Sequence, residues 1–149
     1  MKATLVLADA AQAADGKLSV LGGGWNFTGP QVGPSALGVI MEVPWNETNT
    51  PHQVVLELQD TDGQPARLGP EAQPLRIETV VEVGRPPGHP PGTSLNVPLA
   101  MNLGPLPLIP GQRYVWVLSI DGETEGQWQV AFNVRPTGPV GPGGLKPQG

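Results

Sequence analysis

The stretch from Gln112 to Val134 most constrains what this chain can fold into. Tyr114, Trp116, Leu118 and Ile120 occupy alternate positions, Asp121-Gly122 follows, and then Trp128, Val130, Phe132 and Val134 alternate again. Successive side chains of a strand point to opposite faces, so each run presents one apolar face. An Asp-Gly pair between two such runs is the mark of a hairpin. Tyr114, Trp116, Trp128 and Phe132 are among only seven aromatic residues in the chain, so this hairpin is expected at the centre of the core. The pattern specifies an all-β domain and no reaction.

The rest of the chain repeats the pattern more weakly. Residues 3–10 read as a first strand, Asp15-Gly16 as a turn and Lys17 to Leu21 as a second strand. Gly22-Gly23-Gly24 interrupts before Trp25 and Phe27. Ala36 to Val43 is apolar on both faces and therefore reads as a central strand. Val54, Leu56 and Leu58 alternate with Gln53, Glu57 and Gln59, and Leu75 to Val83 and Leu95 to Leu103 alternate in the same way. Pro98 has no backbone donor, which places its strand at an edge or its residue at a bulge. Ala8 to Ala14 is rich in alanine but too short for an independent helix. About eight strands at short spacing predict an antiparallel two-sheet β-sandwich, immunoglobulin-like or jelly-roll-like, over residues 1–134.

Glycine and proline number 21 and 19, enough to raise disorder as an alternative, but most lie between the alternating runs, where turns need them. Two segments differ. Residues 84–93, Gly-Arg-Pro-Pro-Gly-His-Pro-Pro-Gly-Thr, are too proline-rich to pair and predict a stiff projecting loop. Residues 135–149 hold nine glycines or prolines in fifteen positions and predict a second, separate element: an extended polyproline-like arm.

Charge and composition exclude several functions. The net charge is −5, and no two of the eight basic residues are adjacent. Binding to a duplex or to an anionic membrane needs clustered Lys and Arg, so neither nucleic acid nor membrane is expected as a partner. No apolar run approaches the roughly 20 residues that span a bilayer. The apolar run after Lys2 is short and ends at Asp9, which predicts a first strand rather than a signal peptide. The expected location is a virion or the cytoplasm. The absence of cysteine removes disulfides, thiolate catalysis and sulfur-ligated metals.

The remaining motifs favour structural readings. The triple glycine is not followed by the Lys, Ser/Thr and helix of a phosphate loop, so a bulge or close backbone approach is expected. Asp60-Thr61-Asp62-Gly63 lacks the third ligand of a calcium loop and reads as an Asp-Gly turn. His52 and His89 both lie beside prolines, without a nucleophile motif, and read as exposed loop histidines. Glu78 and Glu82 on one strand would stand roughly 13 Å apart, beyond the separation of a glycosidase pair. Asn26-Phe27-Thr28 and Asn46-Glu47-Thr48 match the glycosylation pattern, which without a signal peptide is coincidence. No catalytic residue, metal or cofactor is expected. Trp25, Phe27 and Trp45 at strand ends or in loops suit a core end or a protein interface better than a sugar platform.

Met1 to Gln12, then Asp15 to Trp25, the region of Val43-Pro44-Trp45, Pro110-Gly111-Gln112 and the final hairpin resemble an uncharacterised family of small proteins from actinobacteria and their phages. That resemblance covers the domain but not the arm. It implies a source and a single-domain architecture, and transfers no activity. Together these readings predict a non-enzymatic component of a larger assembly. The most specific form is a bacteriophage virion accessory, a capsid decoration or minor capsid or tail protein. Its partners would be copies of itself or a major capsid protein. A soluble actinobacterial module binding a carbohydrate or protein ligand is the alternative. The residues expected to meet a partner are Trp25, Trp45, Arg85, Pro87, His89, Pro136, Pro139, Val140, Pro142 and Leu145.

Overall fold

A computed structural model describes residues 1–30 and 33–137, so the expectations placed on Pro139, Val140, Pro142 and Leu145 lie outside the described residues. The chain is all-β. Its strands are β1 (Lys2–Ala8), β2 (Ala10–Ala14), β3 (Lys17–Leu21), β4 (Phe27–Thr28), β5 (Ser35–Val43), β6 (His52–Gln59), β7 (Arg67–Leu68), β8 (Gln73–Pro74), β9 (Arg76–Val81), β10 (Leu95–Leu103), β11 (Arg113–Ile120) and β12 (Gln129–Val134). A single 3-10 turn spans Trp45–Glu47, and no α-helix occurs among the described residues.

The strands form a five-stranded sheet in the order β4-β12-β11-β6-β9 and a three-stranded sheet in the order β1-β5-β10. Two short ladders, β2-β3 and β7-β8, complete them. All pairings are antiparallel except β4 with β12, which runs parallel. The short parallel strand departs from the fully antiparallel expectation. It arises because the chain crosses from Gly24 to the outer side of β12 rather than turning back by a hairpin.

The central hairpin forms in the predicted register. β11 is the middle strand of the larger sheet and pairs Tyr114 with Phe132 and Trp116 with Val130 on one side. On the other side it sets Trp116 opposite Leu58, Leu118 opposite Leu56 and Ile120 opposite Val54. Tyr114, Trp116, Leu118, Ile120, Trp128, Phe132 and Val134 are buried, and Val130 is half-buried against them. Leu7 of β1 and Leu37, Val39, Met41 and Val43 of β5 join the same apolar cluster, so both larger sheets contribute to one core. The return of the hairpin is less direct than the pattern implied. Ile120 pairs with Glu123 around Asp121-Gly122, and a second turn, closed by Trp128 N to Glu125 O (2.9 Å), delays the next strand until Gln129.

β5 is central in its sheet, as its two apolar faces require, and β10 with Pro98 is an edge. The first predicted strand is shorter than expected. The chain bends at Asp9, and the alanine-rich segment continues as β2, which with β3 folds over the outer face of the three-stranded sheet. Asn102 pins it there: its amide donates to Ala11 O (2.8 Å) and its carbonyl accepts from Ala11 N (3.1 Å). Below the hairpin lies Gly38. A Cβ at this position would meet Leu18 Cδ2 at 2.9 Å, Val6 Cγ1 at 3.0 Å and Val20 Cγ1 at 3.3 Å. Gly38→Val is therefore expected to lift the hairpin and cost about 1–3 kcal/mol in urea unfolding, the usual range for overpacking. Amide exchange should accelerate in β2 and β3 more than in β11. Unchanged protection of β2 and β3 would show that this close approach does not hold the hairpin.

Candidate partner-binding surface

The expected partner residues fall at opposite ends of β5. Past its C-terminal end, Pro44 starts the 3-10 turn that presents Trp45. The proline-rich loop returns to this ring. Arg85 places its guanidinium 4.0 Å from the ring centroid, donates from Nε to Thr48 Oγ1 (2.7 Å) and from a terminal nitrogen to Trp45 O (2.8 Å). The His89 ring stacks against Trp45 with centroids 6.3 Å apart and an interplanar angle of 13°. Two successive turns shape the loop, closed by His89 N to Pro86 O (3.1 Å) and Thr93 N to Pro90 O (3.2 Å). The loop is thus not a free projection. Arg85 and His89 draw it onto Trp45, while Pro87 stays exposed at its tip. Trp45 also borders a cleft of about 460 Å³ shared with Lys2, Glu42, Asn46 and Ser94.

The other end of β5 carries Trp25. It is half-buried and meets Phe132 edge-on, with centroids 5.8 Å apart and planes at 85°. Beside it Phe27 is 50% exposed, with the Arg135 guanidinium 4.8 Å from its ring centroid. A cleft of about 450 Å³ opens here, lined by Asp9, Trp25, Phe27, Pro34, Ser35 and Arg135 among others. Pro136, the remaining described candidate, is exposed and packs against Gly111. The fold thus brings Trp45, Arg85 and His89 of the expected residues together and sets Trp25 apart from them. Phe27 and Arg135, which flank Trp25, were not among the residues expected to meet a partner.

A family model matches residues 3–134, from the second residue of β1 to the last residue of β12. The chain belongs to this family of unknown function, DUF6941. No curated protein and no solved structure matches it.

The one buried histidine of this DUF6941 chain corrects a sequence expectation. His52 is 4% exposed and begins β6, rather than lying in an exposed loop. Its Nδ1 stands 2.7 Å from Asp121 Oδ2 and its Nε2 2.7 Å from Glu47 O. Both partners accept, so both ring nitrogens donate and the ring is an imidazolium. Desolvation pushes the imidazole down, but the hydrogen bonds to Asp121 and Glu47 O and the nearby negative charge outweigh it, and the pKa lies above its ordinary value. The hydrogen bond from His52, with that from Gln53 N (2.9 Å), holds the Asp121 carboxyl below its ordinary value. With both nitrogens occupied, His52 is a clamp between the 3-10 turn and the β11 turn, and has no nitrogen left to serve as a base. Among the described residues, no group of three His, Cys, Asp or Glu gathers as metal ligands. The Asp60 turn is closed internally: Asp60 Oδ1 accepts from Asp62 N (2.9 Å) and Gln64 N (3.0 Å).

The clamp gives the DUF6941 domain a pH signature. The raised His52 pKa contributes stability that is complete below the unfolded imidazole value and lost as pH rises through the folded one. The lowered Asp121 pKa contributes stability present above the unfolded carboxyl value and lost as pH falls through the folded one. The melting temperature should therefore be highest between about pH 4 and 6.5, the two unfolded values, and fall on either side. His52→Ala should cost about 1–3 kcal/mol, because it empties a buried position and removes both hydrogen bonds of the clamp, and it should flatten the alkaline limb. A variant that keeps that limb would place the titration elsewhere.

Proposed function

We propose that this chain is a non-enzymatic subunit of a larger protein assembly, built on a two-sheet β-sandwich of immunoglobulin-like or jelly-roll-like kind. In its most specific form the reading is a bacteriophage virion accessory, a capsid decoration or minor capsid or tail protein, in a virion or the cytoplasm that produces it. The observation that supports association is the Phe27–Arg135 pair. A half-exposed aromatic ring under an arginine, at the rim of a cleft, has the composition of an interface centre. It lies where the chain enters the proline- and glycine-rich segment 135–149. The net charge of −5 fits protein partners, copies of this chain or a major capsid protein, better than nucleic acid or an anionic membrane.

The alternative is a soluble binding module for a carbohydrate or protein ligand, and the cleft beside Trp45 with Glu42, Asn46 and Ser94 favours it. Against sugar stacking, Arg85 already occupies a face of that ring. Rate-zonal sedimentation of extracts from producing cells separates the two. The chain should travel in a fast fraction with its partner subunits, and Phe27→Asp should move it to the slow fraction. A wild-type chain that sediments slowly and melts higher with added glycan would overturn the assembly reading in favour of the binding module.

A further inference from the structure

Resting on the assembly reading, we propose that the cleft around Phe27 receives the segment 138–149 of a second copy of this chain. The cleft joins an exposed aromatic ring, a proline and a second aromatic ring whose donor is unmatched. Trp25 Nε1–H is buried and has no acceptor among the described residues. A proline- and glycine-rich strand offers complementary chemistry. Its prolines carry no N–H, its carbonyls remain free to accept, and grooves of aromatic rings with an indole donor suit such strands. Val140 and Leu145 supply apolar side chains for the Phe27 surface. Lys146, the one charged side chain beyond Arg135, complements Asp9 at the cleft wall.

The described backbone favours a second copy over the chain's own cleft. Arg135 N donates to Thr28 O (3.0 Å), beside the cleft. Pro136 then turns the other way and packs against Gly111: a Cβ built there would lie 3.8 Å from Pro136 Cβ. Gly111 precedes β11, on the opposite side of β12 from β4. At Pro136 the described chain thus lies on the β11 side of β12, away from the β4 side where the cleft opens. Fully extended as polyproline, residues 138–149 reach about 40 Å at ~3.1 Å per residue, far enough to reach a neighbour. The contact is heterologous, so it closes as a reciprocal two-fold exchange or a ring, or else propagates as a filament.

Sedimentation equilibrium of the full chain tests this. The wild type should self-associate. Phe27→Asp, which spoils the cleft, and the double variant Val140→Asp/Leu145→Asp, which spoils the segment, should each run as the 15.6 kDa monomer. An equimolar mixture of the two should form a one-to-one dimer of twice that mass, because one copy keeps an intact segment and the other an intact cleft. Lys146→Glu, which reverses the charge set against Asp9, should weaken wild-type association about tenfold. Circular dichroism melts check that each variant is folded; if Phe27→Asp is not, Trp25→Phe, which removes the indole donor but keeps a smaller aromatic ring, replaces it in the mixture. A monomeric wild type, variants that associate like the wild type, or a mixture that stays monomeric would each overturn the proposal. Particle co-sedimentation of the wild-type chain remains a separate readout. A chain that rides with foreign subunits yet never self-associates would overturn this inference and leave the assembly reading standing.

Discussion

The turn at Asp121-Gly122 ties the fold together. Its two residues have φ of 53° and 82°, the left-handed pair that a twisted two-residue hairpin needs. Asp121 tolerates that conformation at a cost that a β-branched residue could not meet, and glycine meets it freely. The same Asp121 donates its N–H to Gln53 O (2.8 Å) and accepts from Gln53 N and His52 with its carboxylate. One residue therefore closes β11 and fixes where β6 begins beside it. That sets the register in which Trp116 meets Leu58 and Leu118 meets Leu56. A one-residue slip would expose Trp116 and bury Val115 and Val117 instead, so the turn and the buried face enforce the same alignment.

Much of this was legible because strand burial has a period of two. The central hairpin, the central position of β5 and the edge position of β10 all follow from residues a few places apart along the chain. Other features depend on pairs far apart in sequence, which no local pattern reports. His52 and Asp121 are 69 residues apart, and Arg85 reaches Trp45 across 40. A histidine beside a proline reads as a loop residue until the fold sets a carboxylate against it. The bend at Asp9 was hidden for a different reason. Asp9 N donates to Leu21 O (2.9 Å), and the Asp9 carboxylate fills the space beside Gly22, where any Cβ would collide with it. The triple glycine is thus a place of close approach, as expected, but what approaches is the side chain of a residue thirteen positions earlier.

The two clusters at the ends of β5 differ in what the fold has already done with them. At Trp45 the chain already engages its own aromatic surface: Arg85 and His89 pack against the half-buried ring, and the arginine donates to Thr48 Oγ1 and Trp45 O. An exposed arginine on an indole is worth about 0.5–1 kcal/mol, and here the contact is intramolecular and joined by two hydrogen bonds, so it helps to order the proline-rich loop. At Phe27 half of the ring remains exposed, and Trp25 Nε1 lacks an acceptor among the described residues. Leu21, Ile109 and Val80 are also exposed, but each projects singly from a strand end, a loop or an edge, which is ordinary for a protein surface. The Phe27 end therefore has the stronger case for a partner.

The sheet edges point the same way. An uncovered strand edge invites pairing with another chain unless something blunts it. β10 carries Pro98, and β4 is two residues long. β9 presents Arg76 bound to Glu78 (2.7 Å) and to Glu57 (3.4 Å), a charged ladder on its outer face that a neighbouring strand would have to flank or disrupt. Three of the four edges are thus ill-suited to strand addition, and the fourth, β1, begins with Lys2 beside Glu42. Where backbone pairing is discouraged, association has to use side-chain surface. On this chain the half-exposed Phe27 and the Arg135 guanidinium beside it place such a surface at the cleft lined by β4 and the start of β5.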